Sequence, residues 1–283
     1  MRFFSFAVVL AVVVLCTACG TEPNDEGLYG DVEKVRQFIA ELDEDGEELG
    51  EKTIDEERVF NDRNQLVGIT TYFEGRPIGT TEMELHENGL ISEYSMFGSG
   101  GELDFKAEYS NNDKGVVCAC VINDYLGDQK RKRVYSLTPD GTRLIGAKEV
   151  TVPDGKTTAE FEYDDQNRTV RMIESPTEYL PKTETLLEYG TRFFLTSYTR
   201  MTYGDAGVID EKRVETYDGK GNLLKEEVFD AKDDLIRRYE YEYRAFDQLG
   251  NWIECICRRW DNELTSDTLV PSSILSREIT YRR

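Results

Sequence analysis

Histidine is nearly missing from this chain. His86 is the single one in 283 residues. That excludes a His-rich metal site and leaves no imidazole base beside an activated Ser or Cys. His86 precedes Glu87-Asn88-Gly89 and reads as an exposed turn residue. Long apolar runs are also missing. The longest, Phe6 to Cys16, has eleven residues, whereas a membrane-crossing helix needs about 20. Gly98-Ser99-Gly100-Gly101 lacks the Lys and the following helix of a phosphate-cradling loop. The acidic doublets Asp164-Asp165 and Asp233-Asp234 lack the spacing of a calcium loop and read as turns. Positive charge is scarce: 34 Lys and Arg stand against 56 Asp and Glu, a net charge of −22. Such a balance repels nucleic acid and anionic membrane surfaces, so neither is an expected partner. No cofactor, no metal and no catalytic residues are expected, and the chain is read as a non-enzyme.

Tyrosine and alternating patterns are abundant instead, with 16 Tyr against two Trp. In Arg238-Tyr239-Glu240-Tyr241-Glu242-Tyr243-Arg244, tyrosines take every second position and charges fill the gaps. A strand sends successive side chains to opposite faces, so this is a tyrosine face backed by a charged one. Asp218-Gly219-Lys220-Gly221-Asn222 and Asp247-Gln248-Leu249-Gly250-Asn251 bracket the strand. Gly and Asn tolerate positive φ and Asp caps its own turn, so both are hairpin connections. Weaker copies run back to Arg58, with turns at Asn61 to Asn64, Asn88-Gly89, Asn111 to Gly115, Pro139 to Gly141, Pro153 to Gly155 and Asp164 to Asn167. A hairpin unit of about 25 residues marks a repeat architecture. The expected fold is all-β: an antiparallel β-hairpin repeat array, a meander forming a single curved or twisted sheet.

Tyr217-Asp218 with Gly221-Asn222, and Tyr243 with Asp247 and Gly250-Asn251-Trp252, resemble the YD-type (RHS-like) repeats of bacterial secreted proteins. The arrangement is similar to uncharacterised bacterial lipoproteins that carry degenerate copies of them. The resemblance spans roughly residues 58 to 283, is sharpest in the last third, and implies a hairpin array with no assigned activity. Val32, Val35, Phe38, Ile39 and Leu42 fall at helical spacing, with Asp31 as an N-cap. The resemblance instead makes Leu28, Gly30, Val32 and Val35 the opening of the first strand, and residues 30–48 are read as strand.

The amino terminus reads as an address. A basic start and an apolar core lead to Leu15-Cys16-Thr17-Ala18-Cys19-Gly20, which resembles the lipobox of bacterial lipoproteins, although Cys16 stands where Leu is usual. Cys19 would carry the lipid and begin the mature chain. The expected organisation is a signal peptide over 1–18, a flexible acidic tether over 19–29 and a β-repeat domain over 30–283. The expected location is the bacterial outer membrane or cell surface, with the membrane as a partner through the anchor.

Four further cysteines come as Cys118-Ala119-Cys120 and Cys255-Ile256-Cys257. On a strand each pair shares a face, with backbones too far apart for an easy intra-pair bond. Buried thiols, disulfides between the two pairs in an oxidising compartment, and a zinc site are the alternatives. Contact between the pairs would require the array to close. Asp267-Thr268-Leu269 resembles an O-glycosylation sequon, which makes Thr268 the candidate acceptor. Trp252, Ile256 and Trp260 share a strand parity, and packing explains them better than sugar stacking. The leading functional expectation is a non-catalytic scaffold or binding surface in the envelope. A glycan-binding or glycan-active protein would show two carboxylates about 5–9.5 Å apart in a cleft, or an aromatic platform. An RHS-like shell fragment enclosing a polypeptide would show a lined interior.

Overall fold

A computed structural model describes residues 23–24, 26–126, 128–176, 181–190, 194–204, 206–261 and 268–282. Eighteen strands follow one another: β1 (Val32–Glu41), β2 (Thr53–Phe60), β3 (Leu66–Phe73), β4 (Arg76–Leu85), β5 (Ile91–Gly98) and β6 (Leu103–Asn111). Next come β7 (Val117–Asp124), β8 (Gln129–Leu137), β9 (Leu144–Val152), β10 (Thr157–Tyr163), β11 (Thr169–Glu174) and β12 (Lys182–Tyr189). The last are β13 (Leu195–Tyr203), β14 (Ile209–Tyr217), β15 (Leu223–Phe229), β16 (Leu235–Phe246), β17 (Trp252–Asp261) and β18 (Val270–Tyr281). Each strand pairs antiparallel with its chain neighbours, and β18 pairs with β1 from Val32↔Tyr281 to Glu41↔Ser273.

The sheet is therefore a closed up-and-down barrel, which corrects the expected open, curved or twisted sheet. The reason lies at the two ends of the meander. Open edges would leave the backbone donors and acceptors of β1 and β18 unpaired, and joining them removes both edges at once. The all-antiparallel meander expected from the turns is present, and the stretch at 30–48 read as strand forms β1 only as far as Glu41, with 44–46 in a turn.

The turns after even-numbered strands sit at one end of the barrel, here called the motif end. They open at Asn61, His86, Asn112, Thr138, Asp164, Gly190, Asp218 and Asp247, a repeat of about 26 residues. In most of them an Asx side chain accepts from the N–H groups two and four residues on. Asn61 accepts from Arg63 and Gln65, Asp218 from Lys220 and Asn222, and Asp247 from Leu249 and Asn251. The fourth residue is left-handed, with φ 61° at Asn64, 82° at Gly221 and 89° at Gly250, a conformation that favours Gly and Asn.

The stretch expected to be a free tether contains a copy of this turn. Asn24 Oδ1 accepts from the N–H groups of Glu26 and Leu28, and Gly27 has φ 75°. This segment packs against the motif end. Asn64 Nδ2 donates to Gly30 O at 2.9 Å and Asn251 Nδ2 to Tyr29 O at 2.8 Å. A Cβ on Gly27 would lie 2.4 Å from Lys220 O, so only glycine fits there. Leu28 is buried with Val32, Val35 and Phe60.

Register assigns the faces. The inward row Tyr109, Cys120, Arg133, Glu149, Ala159 and Glu174 crosses β6 to β11. Tyr239, Tyr241 and Tyr243 face inward opposite Arg259, Cys257 and Cys255. The outer face carries cross-strand ion pairs such as Lys106–Glu93, Arg171–Glu184, Arg238–Glu227 and Arg258–Glu242. A lipid-facing band would be apolar, and each Arg or Lys near its midplane costs about 2–4 kcal/mol. This outer face suits water. No described helix is long and apolar enough to cross a membrane.

Candidate functional site

The interior carries the chemistry. An eighteen-stranded barrel is wide enough to hold an aqueous channel. Here large inward side chains fill part of it and leave a cavity of about 300 Å³ between β5 and β12. Tyr94, Phe105, Tyr109 and Phe161 supply aromatic surface, and Arg131, Arg133, Glu149 and Glu174 supply charge. Arg131 Nη1 and Arg133 Nη2 donate to the two oxygens of Glu149 at 2.7 and 2.9 Å. The Glu149 side chain is 4 % exposed, and it is held by the two guanidinium groups and by Thr158 Oγ1, which donates to Oε1 at 3.3 Å. The Arg133 guanidinium also lies 4.0 Å from the centroid of Phe161. Glu174 accepts from Thr183 Oγ1 at 2.6 Å. Ala159 pairs with Glu149 on one side and with Glu174 on the other. The two glutamates thus share a row two strands apart, about 9.5 Å at the backbone, with a small residue between them.

Every inward-facing cation of the strands is Arg, and Lys keeps to the outer face and the turns. Arginine's planar fork binds carboxylates in pairs and tolerates burial, whereas an ammonium holds its water tightly. Arg213 bridges Glu215 at 2.9 Å and Glu226 at 2.8 Å. Burial raises the Glu226 carboxyl above its ordinary value, Arg213 opposes the rise and Glu215 adds to it. Near the motif end, Arg58 holds Glu26 and Glu56 at 2.5 Å each. Arg277 has no carboxylate within 4 Å among the described residues. It lies 3.5 Å from the Trp252 ring centroid and donates to Gln37 Oε1 at 3.3 Å. Burial first, and then the neighbouring Arg58 charge, push its pKa down to about 9.

The two ends of the lumen are furnished differently. Residues 26–31 pack on the motif-end turns that hold Asn64 and Asn251, and the Glu26 carboxylate meets the inward Arg58. At the opposite end Arg213 faces inward, yet its side chain is 44 % exposed, and the inward Arg237 is exposed too. Water reaches the lumen from that side.

The cysteines expected as thiols or disulfides are all unbonded. Cys120, Cys255 and Cys257 are buried on inward faces, and Cys118 sits at a bulge, half-exposed. Burial raises Cys120 to about 11 and Cys255 to about 12, so both remain thiols at neutral pH. The barrel does close, but β7 and β17 lie far apart around it and the two cysteine pairs do not meet. No described group of three or more His, Cys, Asp and Glu side chains could hold a metal ion. Thr268 lies exposed in a bend, and Cys19 lies outside the described residues. His86 is half-buried rather than exposed, with Nε2 shielded. Trp252 turns inward while Ile256 and Trp260 face outward, because register shifts beside Ala245 break the shared parity. Sequence reasoning missed Arg131, Arg133 and Glu149. Their signal was weak, since Lys130 and Lys132 make both faces of β8 charged.

No family model matches the chain, and no curated protein matches it. Among solved structures it is similar to a porin-like protein from Bacteroides uniformis, with TM-score 0.40, 12% identity and coverage of 88% of this chain and 98% of that one. A porin-like protein from Bacteroides vulgatus gives TM-score 0.39 and 8% identity over 89% and 98%. TcdB2-TccC3 without its hypervariable C-terminal region gives TM-score 0.36 and 12% identity over 89% of this chain and 16% of that chain.

Proposed function

We propose that this protein is a non-catalytic binding protein of the bacterial envelope, tethered through Cys19, whose ligand site is the barrel lumen. The supporting observation is the cavity of about 300 Å³, at the small end of ligand sites. Its aromatic surfaces adjoin two arginines and two glutamates. That lining carries no net charge. It offers flat apolar faces and both donors and acceptors, which suits a neutral polyhydroxylated molecule the size of a small sugar. The flanking pair Glu149 and Glu174 supports the glycan reading further. Glu149 is saturated by its guanidinium partners, which favours binding over proton transfer. The volume equals roughly ten waters, too little for an enclosed polypeptide. The lined interior therefore supports a small ligand better than a protein cargo, and the lumen better than the outer surface.

Calorimetry with the chain from Thr21 onward and a panel of mono- and disaccharides tests this. Binding should weaken about tenfold or more in Met172→Trp, which fills the cavity without changing its charge, and in Arg133→Met. A panel without any binder, or unchanged affinity in Met172→Trp, would overturn the reading.

A further inference from the structure

One inward cation stands apart from the others. Arg58, Arg131, Arg133 and Arg213 each form an ion pair with a glutamate. Arg277, on β18 opposite Gln37 of β1, forms none among the described residues. Its Nε donates to Gln37 Oε1 at 3.3 Å. Gln37 is held in turn, because its Nε2 donates to Asp55 Oδ2 at 3.1 Å. The guanidinium carbon lies 3.5 Å over the Trp252 ring centroid, and the Tyr243 ring backs that indole at 5.3 Å. These side chains form one connected set that fixes the guanidinium. Nη1 and Nη2 donate to no described residue, and Arg277 is only half-buried. A charge kept inside without a carboxylate costs stability, and the depressed pKa of Arg277 reports that cost. A neutral side chain would pack on Trp252 without it, so packing does not explain the charge.

We propose that Arg277 is the recognition residue of a second ligand site in the lumen, one that takes the carboxylate of a small organic acid. A guanidinium fork offers two parallel N–H donors to the two oxygens of a carboxylate. Trp252 and Gln37 already set its orientation, so binding loses little side-chain freedom. Charge selects a monoanion. Arg58 is matched by Glu26 and Glu56. Beyond that group stands Asp55, whose carboxyl burial raises above its ordinary value. A phosphate dianion would face these carboxylates with two charges, an organic acid with one. The site uses β1, β2 and β16 to β18, whereas the cavity lies between β5 and β12, so this inference does not rest on the reading of the cavity.

Calorimetry at constant ionic strength, with the chain from Thr21 onward, tests this with three probes: glucuronate, glucose and inorganic phosphate. Glucuronate and glucose share a ring and differ by the carboxylate. Glucuronate affinity should fall about tenfold or more in Arg277→Met, and also in Arg277→Lys, which keeps the charge and loses the fork. The fall on Arg277→Met should be equally large in a chain that also carries Met172→Trp, which separates this site from the cavity. Glucose binding should not respond to Arg277→Met. Circular dichroism should report an intact sheet in each variant. No glucuronate binding, an affinity unchanged in Arg277→Met or fully retained in Arg277→Lys, or a fall that vanishes with Met172→Trp would overturn the proposal. An equal loss of glucose, or phosphate binding more tightly than glucuronate, would overturn it too.

Discussion

The two ends of the barrel are made of similar hairpin turns and behave as different materials. At the motif end, turns are stitched to their neighbours. Arg63 Nη1 donates to Glu87 O at 2.7 Å, Asn112 Nδ2 to Gly141 O at 2.9 Å, and Leu144 N to Asn167 Oδ1 at 2.6 Å. The N-terminal segment joins the same network through Asn64 and Asn251. At the opposite end the turns mostly satisfy themselves. Asp230 accepts from Lys232 and Asp234, and Thr151 Oγ1 accepts from Lys156 N. The lesson is that an Asx turn closes a hairpin locally, but only side chains reaching the next turn turn a row of hairpins into a lid. One end is built for cohesion, and at the other each turn stands largely by itself.

Arg58 gives the largest expected effect. Arg58→Leu strands Glu26 and Glu56 inside the motif end, and urea denaturation should register a loss of about 3 kcal/mol. A loss below about 1 kcal/mol would mean that water already reaches this network and that the end is less sealed than its packing indicates.

The same motif position can be compared across the two ends. Asp247→Ala removes a turn cap and a carboxylate bonded to Tyr281 and Asn251, so about 2 kcal/mol should be lost. Asp230→Ala removes only an exposed cap, for about 0.5–1 kcal/mol. Equal losses would erase the distinction.

Asp247 also sets a pH dependence. Burial opposes its ionisation, but hydrogen bonds from Tyr281 and from the Asn251 and Leu249 N–H groups outweigh burial and hold its pKa below the ordinary 3.8. Its contribution is complete above that ordinary value and is lost as the pH falls through the lower native one. Acid titration of Asp247→Asn should therefore show a shallower fall in stability below about pH 4 than the parent chain.

Arg277 gives an effect of the opposite sign. Its depressed pKa means that the folded state carries a penalty for the charge below about pH 9, relieved as the pH rises through that value. Arg277→Met keeps the contact with Trp252 and removes the charge, so the midpoint should rise by about 1 kcal/mol equivalent at neutral pH. A fall would show that Gln37 and the indole already compensate the guanidinium.

Much of the strand pattern was legible, because alternation and Asx-x-x-Gly turns are local signals. Tyr239, Tyr241 and Tyr243 announced their strand, and Asp218 and Asp247 their turns. Closure was not legible. It rests on Val35 meeting Ile279, a pairing that depends on accumulated twist and strand number rather than on either segment. The copy of the turn opened by Asn24, with Gly27 as its left-handed residue, was visible in the spacing but hidden by an acidic, linker-like composition. The lumen residues were obscured for another reason. In Lys130-Arg131-Lys132-Arg133 both parities are charged, and only the neighbouring Tyr109, Cys120 and Glu149 decide which one turns inward.

Ring closure through β1 and β18 also has a consequence for biogenesis. Synthesis delivers Val32 among the first residues of the barrel and Tyr281 among the last, so the leading ribbon must wait for nearly the whole polypeptide before its free side is occupied. A chaperone holding that ribbon would be needed longest at the very start of the chain. A nonsense codon late in the message would not merely shorten the product but split the cylinder along its length.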